Sequence, residues 1–165
     1  KKESQDFIES DCYQYLFDKN TAPPGYFIDT SGNILGEHKG IIHYTIGQRK
    51  GLGLSGFKEP LYVIKIDATR NAVIVGPENA LFSSKMTVKN INWLVDPDSI
   101  RFPLACHVQI RLQHKAAEAE ATMIDESNIS SLQVHFKQPQ RSIAPGQTAV
   151  FYNNDIVLGG GIIYG

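Results

Sequence analysis

Residues 104–112 read LACHVQIRL. Leu104, Cys106, Val108, Ile110 and Leu112 occupy one set of alternate positions, and His107, Gln109 and Arg111 fall in the other. Successive side chains of a strand point to opposite faces, so this pattern predicts a strand with one face in a core and one in water. The same period of two returns in 117–123, AEAEATM, and at Leu132, Val134 and Phe136. IAPGQTAVFY at 143–152 and IVLGGGIIY at 156–164 complete the set. About six short strands at this spacing predict a small antiparallel β-barrel, a form whose closure leaves no unpaired edge.

The texture changes upstream of this run. GPENALFSSK at 76–85 carries turn residues and no clear period, which places a linker at 77–85, the barrel at 86–165 and a small β-rich domain at 1–76. Within that domain, ESDCYQYLFDKN at 9–20 is the helix candidate. Ser10 or Asp11 can cap its start, and Tyr13, Leu16 and Phe17 fall at helical spacing. TAPPG at 21–25 ends it, because proline has no amide donor and a fixed φ. Two turns are legible after that: TSGN at 30–33 between strands at 27–29 and 34–35, and DATRN at 67–71 between 61–66 and 72–75. The fold class read from these elements is mainly β.

Composition narrows the function classes. The 165 residues are 42% hydrophobic with a net charge of −1, enough for a core and too balanced for indiscriminate binding to nucleic acid. Charge is uneven, however. Residues 1–35 hold three basic and six acidic groups, and residues 36–70 hold six basic and three acidic, so a polyanion site belongs in the second stretch. Two cysteines, Cys12 and Cys106, make neither a disulfide framework nor a zinc pattern, and the reading is a reduced, cytoplasmic protein without a metal. No apolar run reaches the ~18 residues of a membrane span. The chain opens on KKESQD without a methionine, which reads as a piece of a longer protein.

The densest run of donors is HYTIGQRKGLGLSG at 43–56, with Gln48, Arg49 and Lys50 between Gly47 and Gly51. Its glycine spacing matches neither a dinucleotide fingerprint nor a Walker loop. Two readings stay open: backbone amides and cations gripping a phosphate, or a solvated turn. The histidines at 38, 43, 107, 114 and 135 are scattered and read as the polar faces of strands. No serine or cysteine has a matched partner, so no catalytic residue is assigned. Cys106 falls on the apolar phase and reads as core, and Arg111 reads as a solvated strand residue. APGQ at 144–147 is a turn that would expose Gln147 at a strand start, and GGG at 159–161 signals close backbone packing.

Several ordered strings then point to one family. GEHKGIIHYTIGQRKGLGL, EPLYVIKID, NAVIVG, INW, PGQTAVFY and LGGGII together closely resemble the C-terminal half of bacterial tRNA-specific 2-thiouridylases. The resemblance implies an enzyme whose N-terminal domain binds ATP and adenylates the 2-oxygen of the wobble uridine. A cysteine persulfide, supplied by a sulfur-relay protein, then provides the sulfur, and a central domain and barrel hold the tRNA. No Ser-Gly-Gly-x-Asp-Ser loop occurs in these 165 residues, so the resemblance implies no cofactor in this portion and no activity by it alone. It also implies cysteine chemistry with a disulfide bond. In the family an aliphatic residue and the persulfide-bearing cysteine follow Ser-Gln-Asp, whereas Ser4, Gln5 and Asp6 here run directly into Phe7 and Ile8. Either this protein lacks that cysteine, or a short segment is missing from the sequence between Asp6 and Phe7. Carried over by position, the tRNA-contacting Arg-Tyr pair falls on Arg111 and Leu112, the second a departure, and the glutamine of P-G-Q falls on Gln147. Gln48, Arg49 and Lys50 are further candidate tRNA contacts. An alternative role is a module that docks the sulfur-relay partner or supports the ATP domain.

Overall fold

The computed structural model describes residues 23–112, 114–126 and 128–164. The helix candidate at 9–20, Cys12 and the junction between Asp6 and Phe7 lie outside the described residues. The chain divides after Gly76 into two units.

The first unit holds a four-stranded sheet in the order β2-β1-β4-β3, with β1 at Gly25–Asp29, β2 at Ile34–His38, β3 at Tyr62–Asp67 and β4 at Ala72–Gly76. The TSGN turn joins β1 and β2 as an antiparallel hairpin. Asp29 sets it: its Oδ1 accepts from the backbone N–H of Ser31 and of Asn33, both at 2.8 Å, and Gly32 takes φ 93°. These bonds, led by the one from the Asn33 side chain, hold the Asp29 carboxyl below its ordinary pKa. β3 and β4 form a second antiparallel pair around the DATRN turn, and β1 and β4 join the two pairs in parallel. Phe27, Val63, Val73 and Val75 are fully buried between them.

His38 corrects an expectation. It does not lie on a polar strand face; it is 2% exposed, with Phe27 and Tyr44 packed edge-on at 5.6 and 5.7 Å. Both ring nitrogens are used. Nδ1 accepts from the Gly40 N–H at 3.0 Å, so Nε2 carries the proton and donates to the Asn71 carbonyl at 3.2 Å. Burial holds this imidazole below its ordinary pKa, partly offset by the bond to Asn71.

The second unit is a closed barrel in the order β10-β5-β8-β7-β6-β9. β5 runs over Phe82–Trp93, β6 over Leu104–Gln109, β7 over Ala117–Met123, β8 over Leu132–Arg141, β9 over Thr148–Asn153 and β10 over Ile156–Ile163. All six pairings are antiparallel. Residues 82–85, assigned to a linker from composition, are thus strand, preceded by one 3-10 turn at Glu78–Leu81. The inward phase of each strand supplies the core, with Met86, Val108, Leu132, Val134 and Phe151 at or near zero exposure. β10 closes the barrel against β5, and its glycines allow the approach: a Cβ on Gly161 would lie 2.7 Å from the Lys89 carbonyl oxygen.

The phase of LACHVQ holds, with Cys106, Val108 and Ile110 buried. It breaks at Leu112, expected to point inward and found 87% exposed. β6 ends at Gln109, whose side-chain amide reaches forward to donate to the carbonyls of Leu112 at 3.2 Å and His114 at 2.7 Å. Those bonds, with the His114 N–H on the Arg111 carbonyl at 3.1 Å, put Arg111 and Leu112 in a turn, where strand alternation no longer governs side-chain direction. Arg111 likewise belongs to this turn and not to a strand face.

Candidate functional site

Antiparallel order places the 110–116 and 142–147 connections at one end of the barrel, with the start of β5 and the end of β10. Arg111 ties the two connections together: its Nη2 donates to the carbonyl of Ser142. Gln109, which braces the Arg111 turn, is itself held by the Tyr152 hydroxyl, which donates to Gln109 Oε1 at 3.1 Å.

The second connection begins at Ser142, which follows the last residue of β8 and takes φ 55°. Its N–H donates to the Leu81 carbonyl at 2.8 Å, and it is 2% exposed. Its hydroxyl is buried without a partner. Pro145 and Gly146, the latter at φ 87°, then form a turn closed by the Gln147 N–H on the Ala144 carbonyl at 3.3 Å. The Gly146 N–H donates to the Ile163 carbonyl and the Ile163 N–H to the Gln147 carbonyl, both at 2.8 Å. The backbone of Gln147 is thereby fixed to β10 while its side chain is exposed. The structure therefore brings Arg111, Leu112 and the Gln147 turn to one barrel end. Ser142 was not singled out from sequence; a small polar residue before Pro-Gly is its only mark there.

Few cations of the barrel are uncommitted. Lys137 pairs with Glu118 and holds that carboxyl below its ordinary pKa, Arg141 lies 3.4 Å from Glu78, and the Lys89 ammonium sits 3.5 Å over the Tyr164 ring. Cys106 is a free thiol, buried and pushed up to about 11 by desolvation, and no disulfide occurs among the described residues. No group of three or more metal-ligating side chains occurs among them either.

Gln48, Arg49 and Lys50 lie in the first unit. Gln48 braces its own loop: Oε1 accepts from the Thr45 N–H at 3.0 Å and Nε2 donates to the Lys50 carbonyl at 2.9 Å. Its backbone pairs with β3 through the Val63 N–H at 2.9 Å. Arg49 and Lys50 are exposed and enter no ion pair among the described residues. Arg49, Phe57 and Lys58 line a cleft of about 360 Å³ formed by the following loop. No helix among the described residues is long and apolar enough to cross a membrane.

Residues 83–163 match the family model described as the aminomethyltransferase beta-barrel domain, and residues 13–77 match the one described as the tRNA methyl transferase PRC-barrel domain. The tRNA-specific 2-thiouridylase of Acetivibrio thermocellus is 43% identical over 99% of this chain and 45% of its own length. That of Trichormus variabilis is 46% identical over 99% of this chain and 46% of its own, and that of Halothermothrix orenii 40% over 99% and 46%. The chain thus spans less than half the length of these curated relatives. With two domain models matched in sequence order and this identity sustained from end to end, the chain belongs to the tRNA-specific 2-thiouridylase family.

Proposed function

We propose that this chain is the tRNA-binding, C-terminal portion of an enzyme that replaces the 2-oxygen of the wobble uridine with sulfur. The observation that carries the reading is the placement of Arg111, Leu112 and the Gln147 turn at one barrel end: a half-buried guanidinium bonded to the Ser142 carbonyl, an exposed apolar side chain and an exposed amide. RNA is recognised through such a set: charge for phosphate, an apolar surface for a base or ribose, and an amide for a base edge or a 2′-hydroxyl. Arg49 and Lys50 add a second, purely electrostatic contact.

The chemistry belongs to the rest of the enzyme. ATP, bound outside these residues, would adenylate the uridine 2-oxygen with release of pyrophosphate; the outer sulfur of a cysteine persulfide then attacks C2, the oxygen departs with AMP, and a second thiol takes the inner sulfur as a disulfide, breaking the S–S bond and leaving the thiocarbonyl on the uridine. A sulfur-relay protein supplies that persulfide, the setting is cytoplasmic, and the chain on its own carries out no turnover. Binding of substrate tRNA to the full-length enzyme tests the role of the barrel end. Gln147→Ala weakens it by roughly tenfold, the worth of about one buried hydrogen bond. Unchanged affinity and turnover in both Gln147→Ala and Arg111→Ala would remove these residues from the site.

A further inference from the structure

We propose that Arg111 is a positioning residue: it holds the Ser142 carbonyl so that the 142–147 turn presents Gln147, and its contribution to RNA binding runs through Gln147. The inference rests on the RNA-binding reading of this barrel end and changes the role of Arg111 from contact to support.

The segment between β8 and Gln147 has two fixed ends. Ser142 is tied through its N–H to Leu81, and Gly146 and Gln147 are tied to Ile163. Between them the backbone must pass through a left-handed serine, a conformation that costs an L-residue about 1 kcal/mol or more. Serine usually offsets such a cost with a hydroxyl bond to nearby backbone, but this hydroxyl is buried without a partner. The Ser142 carbonyl is held by Arg111, in a charge-assisted bond of the stronger class. Without the guanidinium that carbonyl loses its partner, and Ser142 is free to relax toward negative φ. Residues 143–146 would follow, and Gln147 with them.

Arg111 is equipped for support. It sits in a turn closed by the His114 N–H on its own carbonyl at 3.1 Å and braced by Gln109, which Tyr152 holds in turn. A direct phosphate contact needs none of this bracing; a clamp between two loops does.

The test is a double-mutant cycle on tRNA affinity of the full-length enzyme with Arg111→Ala, Gln147→Ala and the double variant, each over a range of salt. Positioning gives two weakened singles and a double no weaker than the worse of them. It also leaves the slope of log affinity against log salt unchanged in Arg111→Ala. Losses that multiply in the double variant, or a slope reduced by about one, would overturn the proposal in favour of a direct phosphate contact. Weakening by Gln147→Ala without any by Arg111→Ala would overturn it as well. If neither single weakens binding, the RNA-binding reading of this end fails first. Should Arg111→Ala not fold, Arg111→Met, which keeps the apolar stem and loses both the charge and the donors, enters the same cycle with the same outcomes.

Discussion

Closure of the barrel depends on Gly161, and Gly161→Ala measures that dependence. A Cβ there would lie 2.7 Å from the Lys89 carbonyl oxygen and 2.8 Å from side-chain atoms of both Val88 and Ile91. Comfortable non-bonded separations are about 3.5–4.0 Å, so β5 and β10 must part by several tenths of an ångström. The side chains can adjust; the carbonyl belongs to the backbone of β5 and cannot rotate away. Overpacking of this kind costs about 1–3 kcal/mol, and this site, closed by backbone, belongs in the upper part of that range. Reduced freedom of the unfolded chain returns about 0.4–1 kcal/mol. The net expectation is a loss of about 2 kcal/mol, equivalent to roughly 10 °C in Tm for a unit of this size. Trp93, the sole tryptophan, packs 5.8 Å from Phe151, and its backbone and ring lie within 3.0 Å of where a Cβ on Gly159 would be, so its fluorescence reports the seam during thermal or urea unfolding. Gly146→Ala is the comparison: nothing lies within 4 Å of its Cβ position, and only its φ of 87° opposes the change, at about 1 kcal/mol. A Gly161→Ala variant within about 0.5 kcal/mol of the parent would refute the steric reasoning.

Three further outcomes follow from buried polar groups. His38 binds fewer protons folded than unfolded, so its contribution is full above the unfolded pKa near 6.5 and declines as pH falls through the folded value; an NMR titration placing the imidazole at or above its ordinary pKa would contradict this. Cys106 resists alkylation in the native protein near pH 8 and reacts once the chain is unfolded in urea, because its thiol is buried and titrates near 11; native labelling localised to Cys106 by mass spectrometry is the opposing result. Ser142→Gly removes both the left-handed strain and the unpartnered hydroxyl, and raises stability by about 1 kcal/mol in equilibrium unfolding; a loss of stability would show that the hydroxyl has a partner.

What could be read in the sequence was local. The alternation from Leu104 to Gln109 reflects a strand between core and water, and Asp29 and Gly32 set their hairpin through atoms at most four residues apart. GGG at 159–161 was legible because glycine in an apolar strand has few explanations other than a close neighbour. Leu112 misled because periodicity does not register where a strand stops; the Gln109 side chain decides that by reaching forward to two carbonyls. His38 misled because alternation gives two faces without saying how deep either lies. The bond from Arg111 to Ser142 spans 31 residues and exists only once the barrel has closed, so no local pattern contains it. The family resemblance put Arg111 and Gln147 forward as candidate tRNA contacts, and it carried no sign of the bond from Arg111 to the start of the loop that leads to Gln147.

The central claim, that this chain is the tRNA-holding part of its enzyme, is tested most directly by titrating substrate tRNA against the 165-residue chain between about 50 and 200 mM salt. The expected result is weak, saturable binding with a shallow salt slope, since few barrel cations are uncommitted, and a clear loss of affinity in Gln147→Ala. Absence of binding at the lowest salt, or equal binding by Gln147→Ala, would contradict it.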